Sequence, residues 1–112
     1  MAETVARLMD DDLLREADRK KLGEWLVETQ TGLKRLRAGF PADWRAGDKT
    51  GSALMPAMSN KTNDVAVVWP PGRAPVVIAA YYDADGHHPG GIRAQDEAVL
   101  AEVGRIVYEW LP

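Results

Sequence analysis

The chain has 112 residues, 46% of them hydrophobic and 28% charged, with four tryptophans and a formal net charge of −3. That balance excludes a disordered or fibrous chain, and the acidic excess argues against a general nucleic-acid surface; the length allows one hydrophobic core and not two. With no cysteine there is no disulfide framework and no thiolate chemistry, and no run approaches the ~18 apolar residues of a membrane span.

The opening Met-Ala-Glu-Thr carries no basic region followed by an apolar stretch, so the chain as written is expected to stay where it is made. Val5, Leu8 and Met9 fall at i, i+3 and i+4 and predict a short helix over 4–9. The acidic run Asp10 to Asp12 suits a loop or the positive end of a second helix, because carboxylates there oppose the partial charge of free backbone N–H groups. That second helix is predicted over 15–30, with Leu14, Leu22, Trp25 and Leu26 as its apolar stripe and Gly32 placed to end it. Lys34 to Arg37 follows as a local basic cluster, which composition alone reads as a solvated helix exit.

Pro41 to Trp44 reads as a lead-in turn, and Trp44 to Ser52 alternates bulky with small or polar residues as a half-buried strand does. A loop rich in turn formers and methionine, Ala53 to Asn63, precedes Val65 to Trp69; Pro70-Pro71-Gly72 turns the chain and Val76 to Tyr82 returns it as a hairpin. Both runs are continuously apolar, so both faces of the sheet should be covered. If the edge of the return strand is unpaired, it offers itself to another chain. Beyond the polar loop 83–91, Val99, Leu100, Val103, Ile106, Val107 and Trp110 trace one face of a terminal helix, with Asp96 and Glu97 in its first turns. Helix, helix, three antiparallel strands and helix make an α+β single domain over 1–112, an antiparallel sheet packed against helices.

Two groups of residues bear chemistry. His87-His88 offers imidazole, but adjacent histidines in a loop rarely point the same way and no cysteine or helical i, i+4 partner completes a shell, so no metal and no cofactor is expected. Asp48-Lys49-Thr50-Gly51-Ser52 is richer: a cation, two hydroxyls and a glycine lie together near a strand end, although the tripeptide alone equally suits a polar edge strand.

The flanks decide between those readings. Trp25-Leu26, Leu36-Arg37-Ala38-Gly39 before Pro41-Ala42-Asp43-Trp44, the Asp48 to Ser52 strand, Asn63 to Val67 with Trp69-Pro70-Pro71, and Ala101 to Ile106 together resemble, in order and spacing, the C-terminal part of a class A serine β-lactamase, among the serine penicillin-recognising enzymes. The resemblance implies an incomplete β-lactamase/transpeptidase-like fold and hydrolysis of a β-lactam amide through an acyl-serine. It further implies that Lys49 and Thr50 hold the substrate carboxylate and polarise the active-site hydroxyl. Gly51 would leave room for a ligand backbone along the strand. Ser52 would give its N–H to the oxyanion hole and its hydroxyl to the carboxylate. The second carboxylate-binding cation would be Arg35, with Arg37 as a structural alternative, because Asn63 stands where many members carry that charge. A guanidinium suits the task, since its planar fork grips a carboxylate with two hydrogen bonds. The loop from Ala53 to Asn63, with Met55 and Met58, is longer than the family usually has and borders the cleft.

Other family signatures are missing. Neither Ser52 nor Ser59 has a lysine three residues on, there is no Ser-Asp-Asn triplet, and no Glu-x-x-Leu-Asn provides a deacylating base. Turnover by these 112 residues alone is therefore not expected. The implied partners are a β-lactam or peptide carboxylate, and an N-terminal complementing chain or a second copy at the open strand edge, with no nucleic acid and no membrane. The family implies a periplasmic or secreted location, whereas the residues themselves indicate no compartment. Three alternatives stay open from sequence: a D-alanyl-D-alanine peptidase-like segment, a non-catalytic oligomerising or ligand-binding remnant, and a frameshifted gene product.

Overall fold

The computed structural model describes residues 1–10 and 12–112; of the acidic run, Asp11 lies outside the described residues. Helices α1 (Ala2–Asp10) and α2 (Glu16–Glu28) lead through a 3-10 turn (Leu36–Gly39) into strands β1 (Arg45–Ala53), β2 (Lys61–Trp69) and β3 (Val76–Asp83), and helix α3 (Ala94–Trp110) follows. The strands form one antiparallel sheet in the order β1-β2-β3, so β1 and β3 are both edges among the described residues.

The register sorts the side chains. Ala46, Asp48, Thr50 and Ser52 of β1 share a face with Thr62, Asp64, Ala66 and Val68 of β2 and with Ile78 and Ala80 of β3. The 3-10 turn and α3 cover that face, where Ala66 and Val68 are fully buried and Phe40, Ala46 and Val68 form a core cluster joined by Trp44, Ile78, Val107 and Leu111. The opposite face carries Gly47, Lys49 and Gly51, then Asn63, Val65 and Val67, then Val77, Ala79 and Tyr81. Here α2 lies directly on β1, since a Cβ at Gly47 would sit 2.7 Å from the Leu26 carbonyl carbon. Helix α1 packs against β3 near Val77, but the face stays open at Tyr81, which is 67% exposed. The expectation of two covered faces is thus met on one side and only part of the other.

Several boundaries and faces differ from the sequence reading. Strand β2 starts at Lys61, not Val65, and the preceding loop is 54–60, because the polar residues from Lys61 to Asp64 pair through their backbone with Ala53 to Thr50, and a ladder needs no apolar side chains. Helix α2 ends at Glu28, with Thr29 as its C-cap, before Gly32 is reached. Gly32 serves a different purpose: a Cβ there would fall 1.5 Å from Asp48 Oδ2, so only glycine lets the chain pass over that carboxylate. Trp25 is 59% exposed, as α2 meets the sheet through Gly23 and Leu26 instead. On α3 the inner stripe is Asp96, Leu100, Gly104 and Val107, which leaves Ile106 and Trp110 largely in solvent. Gly104 explains the rotation. Its Cβ would lie 2.1 Å from the Leu36 carbonyl oxygen, so α3 approaches the 3-10 turn backbone to backbone along this line.

Candidate active site

Strand β1 carries Lys49, Thr50, Gly51 and Ser52 along a sheet edge, and the structure brings Arg35 to the same end. Lys49 lies on the open face, exposed, with Nζ donating to Thr50 O at 2.8 Å. It lines a depression of about 270 Å³ with Thr50, Gly51, Asn63, Val65 and Tyr81. A Cβ at Gly51 would meet Asn63 Cβ at 3.9 Å, an ordinary contact, so the internal packing does not require glycine there. Thr50 Oγ1 and Thr31 Oγ1 are 3.0 Å apart, which makes Thr31 a neighbour of the site that the sequence reading missed.

Arg35 is not part of a solvated cluster. It is 5% exposed, while its neighbour Lys34 is exposed. Its Nε donates to Glu97 Oε2 at 3.1 Å, Nη1 donates to the carbonyls of Asn63 at 2.7 Å and Gly51 at 3.4 Å, and Nη2 donates to Ser52 Oγ at 2.9 Å. A guanidinium has five N–H donors, so this arrangement leaves one on Nη2. One N–H is thus left for a ligand carboxylate while these internal bonds stand. Arg35 orients the Ser52 hydroxyl and places a positive charge behind it. Glu97 holds the other end of the fork, which was not legible from sequence because α3 is far along the chain from residue 35.

Arg37, the alternative cation, is spent on structure. It donates to the carbonyls of Val27 and Thr29 at the end of α2, where cations oppose the negative pole of a helix, and to Asp48 Oδ1 at 3.0 Å. The loop histidines do not converge. His88 Nε2 is 2.7 Å from Asp85 Oδ1, whereas His87 Nδ1 is buried with no partner among the described residues. His88 and Arg93 hold the Asp85 carboxyl below the usual range. Met55 and Met58 are exposed in the 54–60 loop. That loop lies next to the Ser52–Ala53 end of β1.

Comparison with known proteins follows the same strands. The beta-lactamase enzyme family matches residues 1–111. A relative, beta-lactamase AST-1 of Nocardia asteroides, is 44% identical over 111 residues, covering 99% of this chain and 33% of that protein. The carbapenem-hydrolyzing beta-lactamase KPC of Klebsiella oxytoca is 39% identical over 111 residues, covering 99% of this chain and 36% of that protein. Among solved structures, an ancestral class A beta-lactamase superposes with a TM-score of 0.85 at 48% identity, covering 99% of this chain and 40% of that one. A beta lactamase from Burkholderia vietnamiensis superposes with a TM-score of 0.83 at 40% identity, over 97% of this chain and 38% of that one. The chain thus spans about a third of the length of the curated relatives it matches.

Proposed function

This chain belongs to the beta-lactamase enzyme family, corresponding to a C-terminal portion of its class A serine members, and we propose that it forms the substrate-anchoring half of a β-lactam-hydrolysing site. The observation that carries the reading is the Ser52 hydroxyl held at 2.9 Å by a buried Arg35, at the end of an edge strand that presents Lys49, Thr50 and Gly51. Lys49 and the Ser52 hydroxyl, backed by the Arg35 charge, bind the ligand carboxylate, and Thr50 adds a hydroxyl. The ligand backbone lies along Gly51, where no side chain obstructs it. When a serine oxygen attacks the lactam carbonyl, charge develops on the carbonyl oxygen, and the Ser52 N–H donates to it; one such donor is worth ~3 kcal/mol of transition-state stabilisation.

The attacking serine and its base come from polypeptide outside these residues. The free edge of β3 and the exposed Ile106 and Trp110 of α3 support a partner segment that adds a strand and covers the helix. The names of the relatives favour lactam hydrolysis over peptidase action. Complementation tests the reading: the chain is mixed with the remaining, N-terminal part of a class A relative, carrying its Ser-x-x-Lys and Ser-Asp-Asn motifs, and assayed with a chromogenic cephalosporin. Turnover is expected from the mixture and from neither part alone, and it should fall steeply for Lys49→Ala. Burst hydrolysis by the chain alone, or a stable complex whose turnover ignores Lys49, refutes the proposal. Self-association that excludes the added segment favours the oligomerising remnant.

A further inference from the structure

Beneath the anchoring strand, two carboxyl groups are buried together. Asp48 on β1 is 0% exposed and Asp64 on β2 is 3% exposed. They are diagonal neighbours on the covered face of the sheet, since Asp64 opposes Thr50 while Asp48 opposes Ala66. One oxygen of each has a donor: Arg37 Nη1 reaches Asp48 Oδ1 at 3.0 Å, and the Leu36 N–H reaches Asp64 Oδ2 at 3.1 Å. The other two oxygens, Asp48 Oδ2 and Asp64 Oδ1, are buried with no donor among the described residues. Gly32 passes directly over Asp48 Oδ2 and closes that side to water. Yet both side chains stand on the same face of paired neighbouring strands, one diagonal apart, each with one orphaned oxygen. Two ionised carboxylates cannot bond, because each only accepts; a single proton between them supplies the missing donor and satisfies both orphaned oxygens.

We propose that Asp48 and Asp64 hold one proton between them, and that the pair is a positioning device tying β1 and β2 to the 3-10 turn that carries Arg35, and through Arg35 to Ser52. The connectivity is continuous. Arg37 grips Asp48, Asp48 shares the proton with Asp64, Asp64 accepts from Leu36, and Leu36 adjoins Arg35 in the chain. The ionisable groups around the pair are Arg35 and Arg37 from the 3-10 segment, and Glu97 from α3, which is already paired with Arg35. Strand β3 sets Ala80 against Asp64, and the end of α2 presents carbonyls to Arg37.

Burial, with the neighbouring Asp48 charge, pushes Asp64 up to about 8, against the opposing pull of the Leu36 N–H and the Arg35 charge. Between the ordinary aspartate value of ~4 and that value, the folded chain binds a proton that the unfolded chain has released. The contribution is therefore complete below pH ~4 and is lost as pH rises toward and through 8. Ionisation of both acids would set two charges against each other at the root of the Arg35 turn.

The inference takes from the proposed function only the roles of Arg35 and Ser52, and its test uses no ligand, so its failure would leave anchoring to be judged by complementation. The 112-residue chain, with labelled aspartate carboxyls, is titrated by carbon NMR while the Arg35 Nε–H and Ser52 amide signals are followed. Asp64 should titrate with a midpoint near 8, and the Arg35 and Ser52 signals should move with it. Asp64→Asn places an amide donor against Asp48 and keeps a carbonyl for Leu36, so it should fold, abolish that midpoint and hold both signals constant across the range. Titration of Asp64 below pH ~5 overturns the proposal. So do Arg35 and Ser52 signals indifferent to the titration, or an Asp64→Asn chain that fails to fold.

Discussion

Arg35→Ala removes four hydrogen bonds at once, to Glu97, the Gly51 and Asn63 carbonyls and Ser52 Oγ. The ion pair is the costly part, because the Arg35 and Glu97 side chains are only 6% and 19% exposed. Breaking a buried pair from one side costs about 3–5 kcal/mol, since it strands the other charge; the partial exposure of Glu97 puts the loss near the lower end. Glu97→Gln keeps an amide oxygen as an acceptor for Arg35 Nε and should cost about 1 kcal/mol. The double variant strands no charge, so its cost should fall short of the sum of the singles by about 1–2 kcal/mol. Urea unfolding of the four proteins, compared at constant slope, measures each value. A cost below about 1 kcal/mol for Arg35→Ala, or single costs that add within about 0.5 kcal/mol, would refute the assignment of Arg35 to a buried, Glu97-coupled anchor.

Other consequences are equally open to measurement. In the complemented enzyme, Lys49→Ala should raise KM for carboxylate-bearing lactams about ten- to a hundred-fold, the worth of one hydrogen bond to a charged group, while the unfolding midpoint stays put because the residue is exposed. Gly51→Ala should fold normally, as its Cβ meets only Asn63 at van der Waals distance, yet weaken ligand binding in titration calorimetry. Gly104→Ala drives a Cβ into the Leu36 carbonyl, and should cost about 2–3 kcal/mol in urea unfolding, with turnover reduced as the Arg35 turn is displaced. Arg93, donating twice to Asp96, holds that buried carboxyl below its ordinary value. Asp96 thus contributes stability above pH ~4 that is lost as acid protonates it, and Arg93→Gln should flatten the fall of Tm on acidification.

Much of the fold was legible because its signals are local. The apolar runs 65–69 and 76–82 with Pro70-Pro71-Gly72 between them specify a hairpin whatever surrounds it, and the stripe on 99–110 specifies a helix. The errors have one cause. Periodicity records which positions are apolar, not which neighbour covers them, so Trp25, Ile106 and Trp110 were read as inward and stand in solvent in this chain. Residues 61–63 at the polar start of β2 were read as the end of a loop rich in turn formers, and both Thr62 and Asp64 look like surface residues. They are buried because the 3-10 turn and α3 close over that face, where Asp64 accepts from Leu36 and Thr62 is fully enclosed.

The sequence by itself determined the class of the fold, the Lys49 to Ser52 strand and the lack of a serine with a lysine three residues on, since propensity, hydrophobic alternation and residue inventory need no third dimension. Local composition could not separate Lys34, Arg35 and Arg37, three cations in one short run, and only the family resemblance singled out Arg35. The tertiary structure sends Lys34 to solvent, spends Arg37 on the end of α2 and Asp48, and buries Arg35 between Glu97 and Ser52. The reason is distance along the chain. A buried charge is placed by the opposite charge and the carbonyls that repay its desolvation, and for Arg35 those lie on β1, β2 and α3, brought together only when Gly104 lets the helix close on the turn.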